Sequence, residues 1–132
     1  MSSVHKILLV DDDILSVETL KMLLENILSK EFVIKSTYSG NNALDEIINE
    51  SFDVIFLDNK LPDRDGLSIL EEIKSRKISS KVIFLTGFND EEIVEKALKL
   101  GALEVLPKGN TDINKLIDVV NTAFTELKIN TL

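Results

Sequence analysis

The chain contains no cysteine, so neither a disulfide framework nor a thiolate metal site can be built from it. Histidine occurs once, as His5. That leaves no second imidazole for a transition-metal pair, and its place just ahead of the first apolar run reads as a strand edge. Neither a GxGxxG fingerprint nor a Walker phosphate loop is present, which removes the glycine-rich signatures of nucleotide binding. Long apolar runs are also missing. The polar start, Met1 to Lys6, leads into the four residues ILLV, far short of the roughly 20 that a membrane-crossing helix needs. No signal peptide is read there either. Bases are outnumbered, 15 lysines and arginines against 23 acids for a net charge of -8. No basic stripe offsets the resulting repulsion from a phosphate backbone. These absences set the expectation of a cytoplasmic protein that binds neither membrane nor nucleic acid directly.

What is present suits one folded domain. At 132 residues with 44% hydrophobic content, the chain should bury roughly two thirds of its unfolded surface. The expected domain is 1–132, with a core of about 5–126 and a short tail. Apolar runs at 6–10, 32–36, 53–57, 81–85 and 104–106 predict strands. Several are apolar throughout, as in a parallel sheet covered by helices on both faces. Helical spacing lies between them. Val17, Leu20, Leu24, Ile27 and Leu28 mark a helix from about Ile14 to Ser29; Ala43, Leu44, Ile47 and Ile48 mark a second; Leu67, Leu70 and Ile73, after Gly66, mark a third. The fourth has an Asn89 cap with Glu92 three residues on and a stop at Gly101. The fifth runs from a Thr111 cap through Leu116, Ile117, Val120 and Phe124. Alternation of this kind, without linker or low-complexity tract, predicts a doubly wound α/β domain.

Four of the apolar runs end in polar residues of different chemistry. ILLV leads into Asp11 and Asp12, VIFL into Asp58, a second VIFL into Thr86, and VL with Pro107 into Lys108. Crossovers in parallel sheets are right-handed and ligands sit at the carboxyl ends of the strands, so these side chains would share one edge. Each has a plainer reading. Asp11, Asp12 and Asp13 can cap a helix, Asp58 can belong to the turn containing Pro62, Asp63 and Gly66, Thr86 can end a strand, and Lys108 can be a solvated charge. Acids gathered beside Asp58 would repel one another without a cation, which favours a metal site. Asp13 fits best as a cap or an outer acid.

The motifs ILLVDDD at 7–13, VIFLDNKLPDRDG at 54–66, VIFLTG at 82–87 and GALEVLPK at 101–108, in this order and spacing, resemble the receiver domain of two-component response regulators. The likeness runs from about Lys6 to Phe124. It implies a flavodoxin-like (βα)5 domain whose five-stranded parallel sheet has order 2-1-3-4-5. It also implies that Asp58 accepts a phosphoryl group, with Thr86 donating its hydroxyl to one phosphoryl oxygen and the Lys108 ammonium pairing with another. Mg2+, with Mn2+ as a substitute, would be held by Asp12 and Asp58, by Asp11 through water, and by the main-chain carbonyl of Lys60. An all-oxygen set suits such a hard cation.

Some positions depart from the family pattern. Val105 stands where receivers commonly carry an aromatic residue, so any switching must travel through other side chains. Gly109 replaces a proline often found in a cis peptide, and a trans turn is expected. Lys60 and Phe88 flank the expected path of hydrolytic water, which implies slow self-dephosphorylation.

The resulting expectation is a phosphorylation-controlled switch that takes its phosphoryl group from a histidine kinase or a phosphotransfer protein. It is not expected to turn over external substrates. Homodimerisation or contact with an output domain would use the fourth helix, fifth strand and fifth helix. Two alternatives remain: an interaction module that keeps the fold without the switch, and an aspartate-nucleophile phosphatase. The second needs an acid two residues beyond its nucleophile, and Lys60 occupies that place.

Overall fold

The computed structural model describes residues 4–28, 31–87, 91–108 and 112–131, with side chains to residue 124 in the last segment. The elements run β1 (His5–Val10), α1 (Ile14–Ile27), β2 (Phe32–Thr37), α2 (Gly40–Asn49), β3 (Val54–Asp58), α3 (Gly66–Ser75), β4 (Lys81–Thr86), α4 (Glu91–Lys99), β5 (Glu104–Pro107) and α5 (Ile113–Thr131). All strand pairs are parallel, in the order β2-β1-β3-β4-β5. This is the doubly wound arrangement expected from the alternation of short apolar runs with helical periodicity.

Every residue of β3 is buried, and the strand divides its side chains between two cores because successive side chains point to opposite faces. Ile55 and Leu57 join Leu8, Val10 and Phe84 under α2, α3 and α4, through Ala43, Ile47, Ile69, Leu70 and Ala97. Val54 and Phe56 join Ile7, Leu9 and Ile83 under α1 and α5, through Val17, Leu24, Leu116 and Val120. Ile48, grouped by spacing with the apolar stripe of α2, is instead exposed, as is Leu98 on α4. They lie at the margins of their helices, where a stripe wider than the sheet contact leaves its edge in solvent.

Local chemistry sets most helix starts. Asp13 caps α1, accepting from the amides of Leu15 and Ser16, Ser39 caps α2 and Asp65 caps α3. α1 ends at Ile27, where Leu28 turns extended. The caps expected at Asn89 and Thr111 lie outside the described residues, as does Ser29, the expected end of α1.

The parallel register staggers the carboxyl ends. Val10 pairs with Leu57, so Asp11 stands level with Asp58 one step on; Asp58 pairs with Leu85, and Thr86 with Pro107. Asp58 is the last residue of β3 rather than the first beyond it, since the ladder continues through the Asn59 amide to the Leu85 carbonyl at 3.0 Å. His5 begins β1 at the opposite end of the sheet, packed against Phe32 and Phe124.

Candidate functional site

Asp11, Asp58 and Thr86 are the polar residues buried at the carboxyl edge of the central strands, with exposures of 5%, 2% and 6%. Asp12, next in the chain, is exposed. Carboxylate oxygens of Asp11, Asp12 and Asp58 all lie within 4.8 Å of one another. Two buried acids so close need a counter-charge. Lys108 supplies one: its ammonium donates to Asp11 Oδ1 and to Asp58 Oδ2, each at 3.0 Å.

The backbone delivers that lysine. The Lys108 amide donates to the Thr86 carbonyl at 2.8 Å, which carries the β4–β5 pairing one residue past Pro107 and holds the lysine stem over the acids. Burial pushes the Asp58 carboxyl up from 3.8 to about 6, against the hydrogen bond from Lys108 and with the help of the Asp11 charge. Burial also works against the Lys108 ammonium, but its hydrogen bonds to Asp11 and Asp58 win and raise it above 10.5.

The loop after β3 closes the site. The Gly66 amide donates to the Asn59 carbonyl at 2.7 Å, and Lys60 bridges to Asp65 in antiparallel fashion. The Lys60 amide donates to the Asp58 carboxylate, which places the Lys60 peptide beside the acids. Gly66 is required by close approach, because a Cβ there would stand 2.5 Å from the Asp58 carbonyl oxygen.

The structure thus brings together Asp11, Asp12, Asp58 and Lys108, with the Lys60 main chain alongside, and sets Thr86 at the end of the neighbouring strand. Asp13 is turned to capping, its carboxylate also accepting from the Ser16 hydroxyl at 2.9 Å, which holds it below the usual carboxylate range. Val105 is half-buried against the core under α4. Phe88 and Gly109 fall outside the described residues. One contributor was not singled out by its sequence. Asp63, in the turn of Pro62 and Gly66, reaches across to α2, accepting from Gly40 and Asn41.

Comparison with known proteins decides the family. The family model described as the response regulator receiver domain matches residues 7–121. The chain belongs to the response regulator receiver family. Sporulation initiation phosphotransferase F of Bacillus subtilis is 32% identical over 127 residues, covering 96% of this chain and 98% of that protein. The transcriptional regulatory protein ZraR of Salmonella typhimurium is 30% identical over 122 residues, 92% of this chain but 27% of that relative. The chain thus spans about a quarter of the length of several curated relatives. Among solved structures, a CheY-like response regulator receiver domain protein from Methanospirillum hungatei superposes with a TM-score of 0.86 at 26% identity, covering 97% of this chain and 99% of that one. Receiver domains are components of two-component systems, and among the described residues no helix is long and apolar enough to cross a membrane.

Proposed function

We propose that this receiver is a phosphorylation-controlled signalling switch with Asp58 as its phosphoacceptor. The observation that carries the reading is the buried Asp58 carboxylate, 3.0 Å from the Lys108 ammonium, with oxygens of Asp11 and Asp12 within 4.8 Å. A carboxylate with a pKa of about 6 is still about nine-tenths ionised at pH 7, so it keeps its nucleophilic oxygen. An Asp58 oxygen attacks the phosphorus of a phosphohistidine; the O–P bond forms, the P–N bond breaks, and the imidazole nitrogen leaves with the bonding pair. Lys108 then exchanges its carboxylate partner for a phosphoryl oxygen, as a mobile point charge can. Thr86 offers its hydroxyl to a second oxygen.

The donor set fits Mg2+, since it is all oxygen and mostly anionic. Asp12 and Asp58 would hold it with the Lys60 main-chain carbonyl, and Asp11 through water; Mn2+ would substitute. When bound, the cation neutralises charge that builds on the transferring phosphoryl oxygens. Movement of Thr86 and Lys108 toward the new phosphoryl group shifts a pre-existing equilibrium between conformers.

The proposed donor is a histidine kinase or a phosphotransfer protein in the cytoplasm. The proposed output surface is α4, β5 and α5, where Lys96 pairs with Glu92 at 3.3 Å and Lys115 with Glu104 at 3.6 Å; such exposed pairs are weak enough to be exchanged across a dimer or an output domain. Lys60, two residues beyond Asp58, argues against turnover of external phosphate esters.

Incubation with a small acyl phosphate or phosphoramidate and Mg2+, followed by intact mass, tests the reading. One phosphoryl adduct is expected, absent in Asp58→Asn. No adduct on the wild-type chain would favour a phosphorylation-independent interaction module.

A further inference from the structure

Asp63 lies five residues beyond Asp58, in the loop between β3 and α3, yet it serves another helix. Its Oδ1 accepts from the Gly40 amide and its Oδ2 from the Asn41 amide, both at 2.8 Å. Ser39 already caps α2 from within its own chain segment, taking the Asn42 amide at 3.2 Å. The first amides of α2 are therefore shared between two caps, Asn42 going to the local Ser39 and Gly40 and Asn41 to the loop that carries Lys60. Bonds from Asn41 and Gly40 hold the Asp63 carboxyl below its usual range, and a carboxylate at a helix N-terminus is also favoured by the helix dipole.

Packing reinforces the contact. A Cβ on Gly40 would stand 2.3 Å from Arg64 Cγ and 3.1 Å from Asp63 Oδ1, so the loop rests directly on the first turn of α2. Arg64 is held in turn by its Nε bond to Ser68 Oγ at 3.0 Å. At its neck the same loop is closed by the Gly66 amide on the Asn59 carbonyl. Lys60 lies between these two anchor points.

We propose that Asp63 is a positioning residue: by clamping the β3–α3 loop onto the N-terminus of α2, it sets the Lys60 carbonyl at the acid cluster and thereby the affinity for the divalent cation. The inference rests on the reading that Asp11, Asp12, Asp58 and Lys60 hold Mg2+. Groups that orient metal ligands typically change affinity by about tenfold or more when removed. Coupling of this kind is reciprocal. If the clamp strengthens cation binding, bound cation must strengthen the clamp, and the Gly40 and Asn41 amides must then exchange with solvent more slowly.

The test uses the full chain, titrated with Mg2+ and followed by amide NMR. Asp63→Ala should raise the Mg2+ Kd about tenfold, whereas Ser39→Ala, which removes a cap from α2 without touching the loop, should leave it unchanged. Saturating Mg2+ should slow exchange of the wild-type Gly40 and Asn41 amides several-fold, a measurement that decides the matter even if Asp63→Ala does not fold. An unchanged Kd in Asp63→Ala, an equal loss in Ser39→Ala, or wild-type amide exchange indifferent to Mg2+ would each overturn the proposal. A wild-type chain that binds no Mg2+ would instead overturn the reading of the acid cluster, and this inference with it.

Discussion

The Lys108 ammonium stands 3.0 Å from Asp58 Oδ2, yet the Asp58 carboxyl is still pushed up to about 6. Burial and the neighbouring Asp11 charge together outweigh one well-placed cation. The folded pKa lies above the unfolded value of 3.8, so folding favours the protonated form. Any stabilisation from Asp58 is therefore present below about pH 3.8 and lost as pH rises through about 6. Above that, the ionised group opposes folding. Asp58→Asn in metal-free buffer at pH 8 should accordingly raise stability by about 1–3 kcal/mol, seen as a Tm higher by several degrees. The gain should shrink between about pH 6 and 3.8. A Tm at pH 8 that is unchanged or lower in the variant would mean that the bond to Lys108 dominates.

Gly66 and Gly87 flank the same site under opposite constraints. A Cβ at Gly66 meets backbone, 2.5 Å from the Asp58 carbonyl oxygen and 3.0 Å from Asn59 Cα, whereas at Gly87 nothing among the described residues lies within 4 Å. Backbone cannot rotate aside, so Gly66→Ala must displace the loop. A loss of about 1–3 kcal/mol is expected, together with slower formation of the phosphoryl adduct. Gly87→Ala, free of such a clash and of a left-handed φ, should instead raise stability in urea slightly, by about 0.4–1 kcal/mol, because alanine restricts the unfolded chain. Equal midpoints for the two variants would contradict this account.

The sheet was legible because strands covered on both faces are apolar throughout, and because each run ends abruptly in a polar residue. Asp13 was readable as a cap from its place before an apolar helix, and the structure uses it so. Sequence placed Lys108 at the right edge; that it engages Asp11 and Asp58 together depends on how the strand ends stagger, which periodicity does not encode. Asp63 and Asp65 illustrate the limit. Both sit in one Pro-Asp-Arg-Asp-Gly turn, and local spacing accounts for Asp65 capping α3. That Asp63 caps α2, more than twenty residues earlier in the chain, follows only from the tertiary approach of loop to helix.

At the far end of the sheet, Glu50 on the α2 C-cap accepts from Lys6 on β1 and from Lys35 on β2, the latter at 3.1 Å. The bond from Lys6, then that from Lys35, lowers the Glu50 carboxyl from 4.5 to about 2. A depressed folded pKa makes this contribution complete above about 4.5 and lost as pH falls through about 2. Glu50→Gln should therefore lower Tm at pH 7 and narrow its distance from wild type as pH falls through that window. A Tm difference that stays constant from pH 7 to 2.5 would rule out the charge as its origin.

Two helices end in the same hydrogen-bonded motif with different residues at the critical position. At the end of α4 the Gly101 amide donates to Leu98 and the Ala102 amide to Ala97; at the end of α3 the Lys77 amide donates to Lys74 and the Ile78 amide to Ile73. Both terminate through a left-handed residue, Gly101 at φ 101° and Lys77 at φ 56°. The pattern is the Schellman ending, closed at α3 by apolar Ile78 and Ile73 in one core. Only the first of the two uses the residue that adopts this conformation without steric cost, and a side chain there costs about 1–2 kcal/mol. Glycine loses more freedom on folding than lysine does, which offsets part of that gain. Lys77→Gly should therefore stabilise the protein by about 0.5–1 kcal/mol, as a higher urea midpoint at unchanged slope. Gly101→Ala should destabilise the protein by about 1 kcal/mol, moving the midpoint the other way. Destabilisation by Lys77→Gly would show that the lysine side chain contributes more at that turn than its backbone strain costs.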